Sequence, residues 1–280
     1  MALLCLNAGA ATKMRVGSYN LRMQQLDKGD NAWSVRRARV MKSIRDNGFD
    51  IFGVQEVADF AQNDLREDLG DTYEFLFTSP YSQDGIGNKA HGIAWRKDKF
   101  KLVEFHRFWP SDTPDSCCVN DLWTRNVKGK MKTAKFKRGA TCALFETKNG
   151  QRFIFMCSHA ALGKEQNAQF AHVYIDREKM YNPEGYPSFF VGDLNTRPNT
   201  SSSELWRTYW KDAALCVKGE PTGTFNGFKP EKSMVGDPAR IDFIYCRGKV
   251  KVRTYKCNTA LYDGFCASDH YPIMADVTIR

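Results

Sequence analysis

Short runs rich in Val, Ile, Phe and Tyr recur along nearly all of the 280-residue chain, at 15–20, 50–57, 92–95, 102–109, 140–147, 152–159, 188–193, 241–246 and 272–279. Such residues fit a half-buried pleated surface, so runs of this length predict strands. A chain with so many short strands must bury their apolar faces against another layer. Helical patterns lie between some of them. At 35–47, Val40, Met41 and Ile44 keep three- and four-residue spacing, and Gly48 follows as a helix stop. A second helix is predicted over 164–180, with Phe170, Val173 and Tyr174 on one face. Asn149-Gly150 and Gly248-Lys249 each separate two close runs and read as hairpin turns, which excludes purely parallel sheets. Mixed sheets with helices outside them follow.

With 42% hydrophobic residues and no repeat, low-complexity stretch or linker, the sequence reads as a single domain, expected over 14–280. The first ten residues are apolar and end in small side chains, like the back half of an export signal without its charged front. Residues 1–13 are therefore expected to be a signal-peptide remnant and the protein to be periplasmic or secreted. The stretch is too short to span a bilayer. Cleavage would remove Cys5 and leave eight cysteines, an even number compatible with disulfides, with Cys257 and Cys266 the first pair to test. There is no CxxC pair, which argues against a zinc ribbon or a thioredoxin-like site. Residues 110–137 are the least regular part, and a loop that long in a compact domain is more often functional than idle. The formal charge of +9 favours phosphorylated or polyanionic partners, although the basic residues are scattered, with a modest concentration at 128–138.

Five segments place acidic, amide or imidazole groups at strand ends: Ser18-Tyr-Asn20, Gly53-Val-Gln-Glu56, Gly192-Asp-Leu-Asn195, Arg240-Ile-Asp242 and Ser268-Asp-His270. Polar groups there can converge on one rim while the strands hold them rigidly. Oxygen donors from Asp, Glu and Asn suit Mg²⁺ or Mn²⁺. Of five histidines, His159 and His270 stand in such settings; His91 and His106 lie in or beside strands without an acidic motif, and His172 falls on a helix. Taken singly, an Asp-His pair, a Gly-Asp-x-Asn turn or a Gln-Glu pair is ordinary. Their joint order is not.

The ordered set Asn20, Glu56, His159, Gly192-Asp193-Leu-Asn195, Ile241-Asp242 and Ser268-Asp269-His270 resembles the endonuclease/exonuclease/phosphatase superfamily, over 15–278. Trp33-x-x-Arg36, Arg96-Lys-Asp98 and Phe108-Trp-Pro-Ser-Asp-Thr-Pro114 are similar to a bacterial subgroup distantly related to deadenylases. The resemblance implies an α/β (α+β) architecture, a four-layer αββα sandwich of two mixed β-sheets with helices on the outer faces. It also implies that Glu56 is the principal ligand of Mg²⁺ or Mn²⁺, with Asn20 and Asp269 near the ion. Asp193 and Asn195 would position the attacking water and the phosphate, His159 and His270 would contact or protonate phosphoryl oxygens, and Asp242 would hold His270. Arg138, which precedes a strand as in the subgroup, would support the acidic rim or bind phosphate. Independently, a carboxylate that accepts the second imidazole proton fixes the tautomer and raises basicity. The reaction implied is in-line attack of water on phosphorus with the metal neutralising charge.

Two departures stand out. Where relatives often carry a glutamate that supports the histidine matching His159, this chain has Lys89, and after His159 it runs Ala160-Ala-Leu-Gly163 instead of continuing with an acidic or second histidine side chain. The core motifs do not select a substrate. A nuclease, either 3′–5′ exoribonuclease-like or an endonuclease, is expected first, with a nucleic acid as the phosphate-ester partner. The alternatives are a phospholipid, phosphoinositide or small-molecule phosphodiesterase or phosphatase and, in another class, a non-catalytic phosphate- or nucleic-acid-binding module. No transmembrane segment and no obligate protein partner are expected.

Overall fold

The computed structural model describes residues 11–22, 27–219, 221–230 and 239–280; of the expected signal-peptide remnant at 1–13, residues 1–10 lie outside the described residues. Among them the strands in chain order are β1 (Thr12–Asn20), β2 (Ile51–Val57), β3 (Tyr73–Thr78), β4 (Ala90–Arg96), β5 (Phe100–Phe108), β6 (Asp121–Val127) and β7 (Lys130–Phe136). They continue with β8 (Ala140–Thr147), β9 (Arg152–His159), β10 (Ser188–Asp193), β11 (Lys211–Asp212), β12 (Asp242–Arg247), β13 (Val250–Cys257) and β14 (Ile273–Ile279). The α-helices are α1 (Trp33–Asn47), α2 (Asp59–Leu69), α3 (Lys164–Gln169), α4 (Ala171–Tyr181) and α5 (Ser201–Tyr209).

One sheet has the order β13-β14-β1-β2-β4-β3, the second β11-β12-β10-β9-β8-β5, and β6 pairs with β7 in a separate ribbon. β1 and β2 are parallel, as are β9 and β10, while their other neighbours are antiparallel. Both sheets are therefore mixed, as the sequence predicts. Their inner faces meet in a core that includes Val16, Ile93, Phe145, Phe155, Phe189, Val191 and Ile244. Helices α1 and α2 cover the outside of the first sheet through Val40, Ile44 and Leu65 against Phe52 and Val54. Helices α4 and α5 cover the second, where Tyr174 and Trp206 pack around Phe190 and Tyr245. The four layers αββα follow from the need to bury two faces of each sheet. At Gly53 the sheets come so close that a Cβ would lie 2.6 Å from Val191 Cγ2 and 2.7 Å from Cys157 Sγ. An alanine there would cost about 1–3 kcal/mol in overpacking.

Several details differ from the sequence expectations. Thr12 and Lys13, counted in the expected signal remnant, pair with Ile279 and Thr278 in β1. The helix expected over 164–180 is two helices, because Phe170 leaves helical geometry (φ −100°, ψ 9°) and packs into the outer core of the second sheet. Gly248-Lys249 is not a hairpin turn: β12 belongs to the second sheet and β13 to the first, so the turn carries the chain between sheets. The irregular stretch 110–137 contains the β6–β7 ribbon, turned by Lys128 (φ 53°) and Gly129 (φ 78°), the paired left-handed conformation of a tight hairpin. Cys257 and Cys266 are unbonded, and the eight described cysteines are free thiols.

One polar tie crosses the core. His91 Nε2 on β4 lies 3.2 Å from Thr78 Oγ1 on β3 and 3.1 Å from Thr141 Oγ1 on β8, in the opposite sheet. Burial, with a smaller contribution from Arg107, pushes its pKa from 6.5 down to about 3, so it folds neutral. Below about pH 6.5 the unfolded chain takes up a proton that the folded chain refuses. Stability is therefore intact above that pH and drains as pH falls toward 3, by about 5 kcal/mol in all at about 1.4 kcal/mol per unit. Urea unfolding from about pH 7 to pH 4 should show this loss in the wild type and a flatter profile in His91→Gln; identical slopes would remove His91 as its source.

Candidate active site

Parallel pairing brings strand ends together. Because β1 and β2 run parallel, Asn20 ends its strand in register with Gln55, next to Glu56. β9 and β10 are parallel too, and His159 stands opposite Asp193. The antiparallel β12 starts at the same level, with Asp242 opposite Asp193 on its other side. His270 comes from the loop before β14 and is held by an isolated bridge to Phe225, whose ring meets the imidazole edge-on at 5.1 Å.

Local backbone conformation aims these groups. The β2–β4 pairing slips between Val54 and Val57, and Glu56 sits in that bulge with φ 59°. A left-handed glutamate costs on the order of 1–3 kcal/mol and turns the carboxylate off the regular pleat. Gly192 has φ 152°, and a Cβ on it would lie 1.9 Å from Ser158 O, so the residue before Asp193 has to be glycine. Asn195 is also left-handed (φ 49°), a conformation asparagine tolerates. Its amide N donates to Asp193 Oδ1 at 3.0 Å and its Nδ2 to Ala160 O at 3.0 Å.

Asp193 Oδ2 is the hub. It accepts from Asn20 Nδ2 at 2.9 Å and lies 3.4 Å from His159 Nε2 and 3.7 Å from His270 Nε2. Glu56 Oε1 is 3.4 Å from Asn20 Nδ2 and 3.9 Å from His159 Nε2. Behind this group, His270 Nδ1 is 2.8 Å from Asp242 Oδ2, which also accepts from Thr224 Oγ1 at 2.6 Å. Burial opposes a charge on His270, but Asp242 and Asp193 outweigh it and hold the imidazole well above its ordinary pKa. His159 shifts the other way, well below the ordinary value, because burial and then Arg138 disfavour its charge. Burial pushes Asp193 up to about 7 even though His270 pulls it down, and burial also raises Asp269. The two imidazoles, which face the same oxygen of Asp193, are thus shifted in opposite directions.

Ligand atoms of Glu56, His159 and Asp193 lie within 4.8 Å of one another, as do those of Asp193, Asp242 and His270. Oxygen and imidazole nitrogen without sulfur fit a hard divalent cation. Of the expected ligand set, Glu56 belongs to the first of these groups, and Asn20 stands beside it with Nδ2 3.4 Å from Glu56 Oε1. Asn20 Oδ1 accepts from Arg22 N at 2.9 Å, which turns its amino group toward the carboxylates, so Asn20 orients Glu56 and Asp193. Asp269 faces Arg22 Nη1 at 3.4 Å. Arg138 donates through Nε to buried Asp121 at 2.8 Å, and its guanidinium lies over Phe136 at 5.1 Å. The expected glutamate support of His159 is met in another way, by Asp193 and Glu56. Lys89, with φ 57°, instead joins Tyr81, Phe136, Lys137 and Arg138 around a cavity of about 240 Å³ that opens beside Glu56 and His159.

Sequence reasoning missed Thr224 and Arg22, which lie in irregular segments without a motif. Arg36 was visible only as part of Trp33-x-x-Arg36. It is fully buried and donates to the carbonyls of Leu21, Arg22, Asn31 and Ala267, which ties the loop after Asn20 to the loop before Asp269.

A family model described as the endonuclease/exonuclease/phosphatase family matches residues 17–270. Among solved structures, the chain is similar to an endonuclease/exonuclease/phosphatase from Bacteroides vulgatus, with 26% identity, 96% of this chain and 100% of that chain covered, and a TM-score of 0.83. A protein of the same family from Bacteroides thetaiotaomicron is 25% identical over 97% of this chain and 99% of its own, with a TM-score of 0.84. A mannosyl-6-phosphatase from Bacteroides thetaiotaomicron is 25% identical over 94% of this chain and 99% of its own, with a TM-score of 0.79. No curated protein sequence matches significantly.

The opposed imidazoles can be checked directly. NMR titration of the ring nitrogens in chelator should find His270 charged and His159 neutral near pH 7, and Asp242→Asn should lower the pKa of His270 while leaving His159 neutral. A neutral His270, or one indifferent to Asp242→Asn, would contradict the electrostatics described.

Proposed function

The chain belongs to the endonuclease/exonuclease/phosphatase family and is a metal-dependent phosphoric ester hydrolase; from that premise we propose that it cleaves a phosphodiester by in-line attack of water, with a nucleic acid as the preferred substrate. The observation that carries this reading is the position of Asp193, whose Oδ2 faces Asn20, His159 and His270 at 2.9, 3.4 and 3.7 Å. A buried carboxylate in that position would orient the attacking water and draw its proton. Asn195 fixes it through its other oxygen, and Asn20 keeps it beside Glu56. His270, held charged by Asp242, donates to a phosphoryl oxygen, while neutral His159 orients a second one. Glu56 would hold Mg²⁺ or Mn²⁺ on the side that faces Asp193, with Asp269 close by, and the ion would supply charge neutralisation on the phosphoryl and leaving oxygens. Arg138, at the wall of the adjoining cavity, would meet the substrate beyond the reacting phosphate.

Support for a nucleic acid comes from the net charge of +9 and from Lys89, Lys137 and Arg138 around that cavity. A second reading, a phosphatase acting on a sugar phosphate, is favoured by the likeness to a mannosyl-6-phosphatase over nearly the whole chain. We also propose export to the periplasm or beyond, from the apolar first ten residues.

Bis(4-nitrophenyl) phosphate, single-stranded RNA and DNA, and mannose 6-phosphate, each with Mg²⁺ or Mn²⁺ and with chelator, decide among these. We expect diester hydrolysis that chelator abolishes, and a fall of about 10²-fold or more in kcat/KM for Glu56→Ala and for His270→Ala. Turnover indifferent to chelator would refute the site as drawn, and monoester hydrolysis alone would establish the second reading.

A further inference from the structure

The β6–β7 ribbon has no part in the chemistry above, yet it stands at the mouth of the site. Residues 121–137 carry Arg125, Lys128, Lys130, Lys132, Lys135 and Lys137 against one acid, Asp121. An isolated two-stranded hairpin is marginal in water, so this one must be fastened at its base. Asp121 fastens it: fully buried, its carboxylate accepts from Arg138 Nε at 2.8 Å, Gly163 N at 2.8 Å and Leu162 N at 3.1 Å. The single acid is thus consumed at the base, and the outer ribbon is cationic.

Strand alternation sorts its side chains. Trp123, Arg125 and Val127 share a face with their cross-strand partners Ala134, Lys132 and Lys130, and with Phe136 opposite Asp121. Arg125 lies over the Trp123 ring at 4.8 Å, while the Thr124–Thr133 hydroxyl pair marks the opposite face. Phe136 lines the cavity beside Glu56 and His159. From the catalytic rim outward the face therefore presents Phe136, Trp123, and then Arg125, Lys132 and Lys130.

We propose that this ribbon is an arm that holds a single-stranded nucleic acid where it leaves the catalytic rim, with a base stacked on Trp123 and backbone phosphates on Arg125, Lys130 and Lys132. Aromatic faces interleaved with cations are the chemistry that single strands use, since every base has a π-face and every residue a phosphate. Seven residues at about 3.4 Å each give the arm a reach of about 24 Å, enough for several nucleotides. The inference rests on the phosphodiester reading of the rim but is measured separately from it.

The test uses the full chain in chelator, so that a fluorescent single-stranded oligonucleotide binds without being cut. Anisotropy titrations over a range of salt should show R125E/K130E/K132E binding at least ~10-fold more weakly, with the slope of log K against log salt reduced by about 2, as for three lost phosphate contacts. Trp123→Ala should lose about 10-fold in affinity with the slope unchanged. Circular dichroism checks the fold of each variant. Affinity and slope equal to wild type would overturn the proposal, as would loss of binding to anionic lipid vesicles with oligonucleotide binding intact. Hydrolysis of bis(4-nitrophenyl) phosphate, too small to reach the arm, should persist in the variants. Its absence from the wild type would defeat the phosphodiester reading, while the binding titrations would still decide the arm.

Discussion

The register of three strands carries the rest of this structure. β10 lies between parallel β9 and antiparallel β12, and the pairing sets His159, Asp193 and Asp242 in one row across the second sheet. A slip of one residue in either ladder would send these side chains to the other face. Gly192 guards the register, because no other residue fits against Ser158 O at its backbone conformation. The first sheet then needs only to bring Asn20 and Glu56 to the same rim, which the parallel pair β1–β2 does. Gly53 lets the two sheets approach closely three residues before Glu56.

Burial gives this row its chemistry. Asp193 and His270 are almost withdrawn from water, so each shift follows from whether a neighbouring charge offsets the cost of desolvation. For His270 it does, through Asp242; for His159 burial prevails, and cationic Arg138 adds to it. Asp242 has one oxygen committed to His270 and Thr224 and its other, Oδ1, buried without a hydrogen-bond partner. A buried carboxylate of this kind is tolerated because the imidazolium beside it compensates. The same balance explains why Lys89 is compatible with the site: its cation lies over the Tyr81 ring at 4.7 Å, on the adjoining cavity, and His159 takes its carboxylates from Asp193 and Glu56.

Much of this was legible in the sequence. Polar residues that close apolar runs stand at strand ends, and the motifs around Asn20, Glu56, Asp193, Asp242 and His270 all lie on the rim. Strand order was not legible, since β12 and β13 look like a hairpin locally and pair in different sheets. The ribbon escaped because its strands are lysine-rich and borrow stability from Asp121 and Arg138 at the base. The side of its amide that Asn20 offers is set by Arg22 N, a backbone contact no residue pattern reports. Arg138 paired with Asp121 for a similar reason: the partner is close in space and 17 positions away in sequence.

The proposed chemistry needs a single cation seat between Glu56 and Asp193. Crystals soaked in Mn²⁺ and measured at a wavelength where manganese scatters anomalously would locate it. One peak is expected at about 2.1 Å from a carboxylate oxygen of Glu56, on the side facing Asp193. A peak elsewhere on the molecule, with none at Glu56, would contradict it.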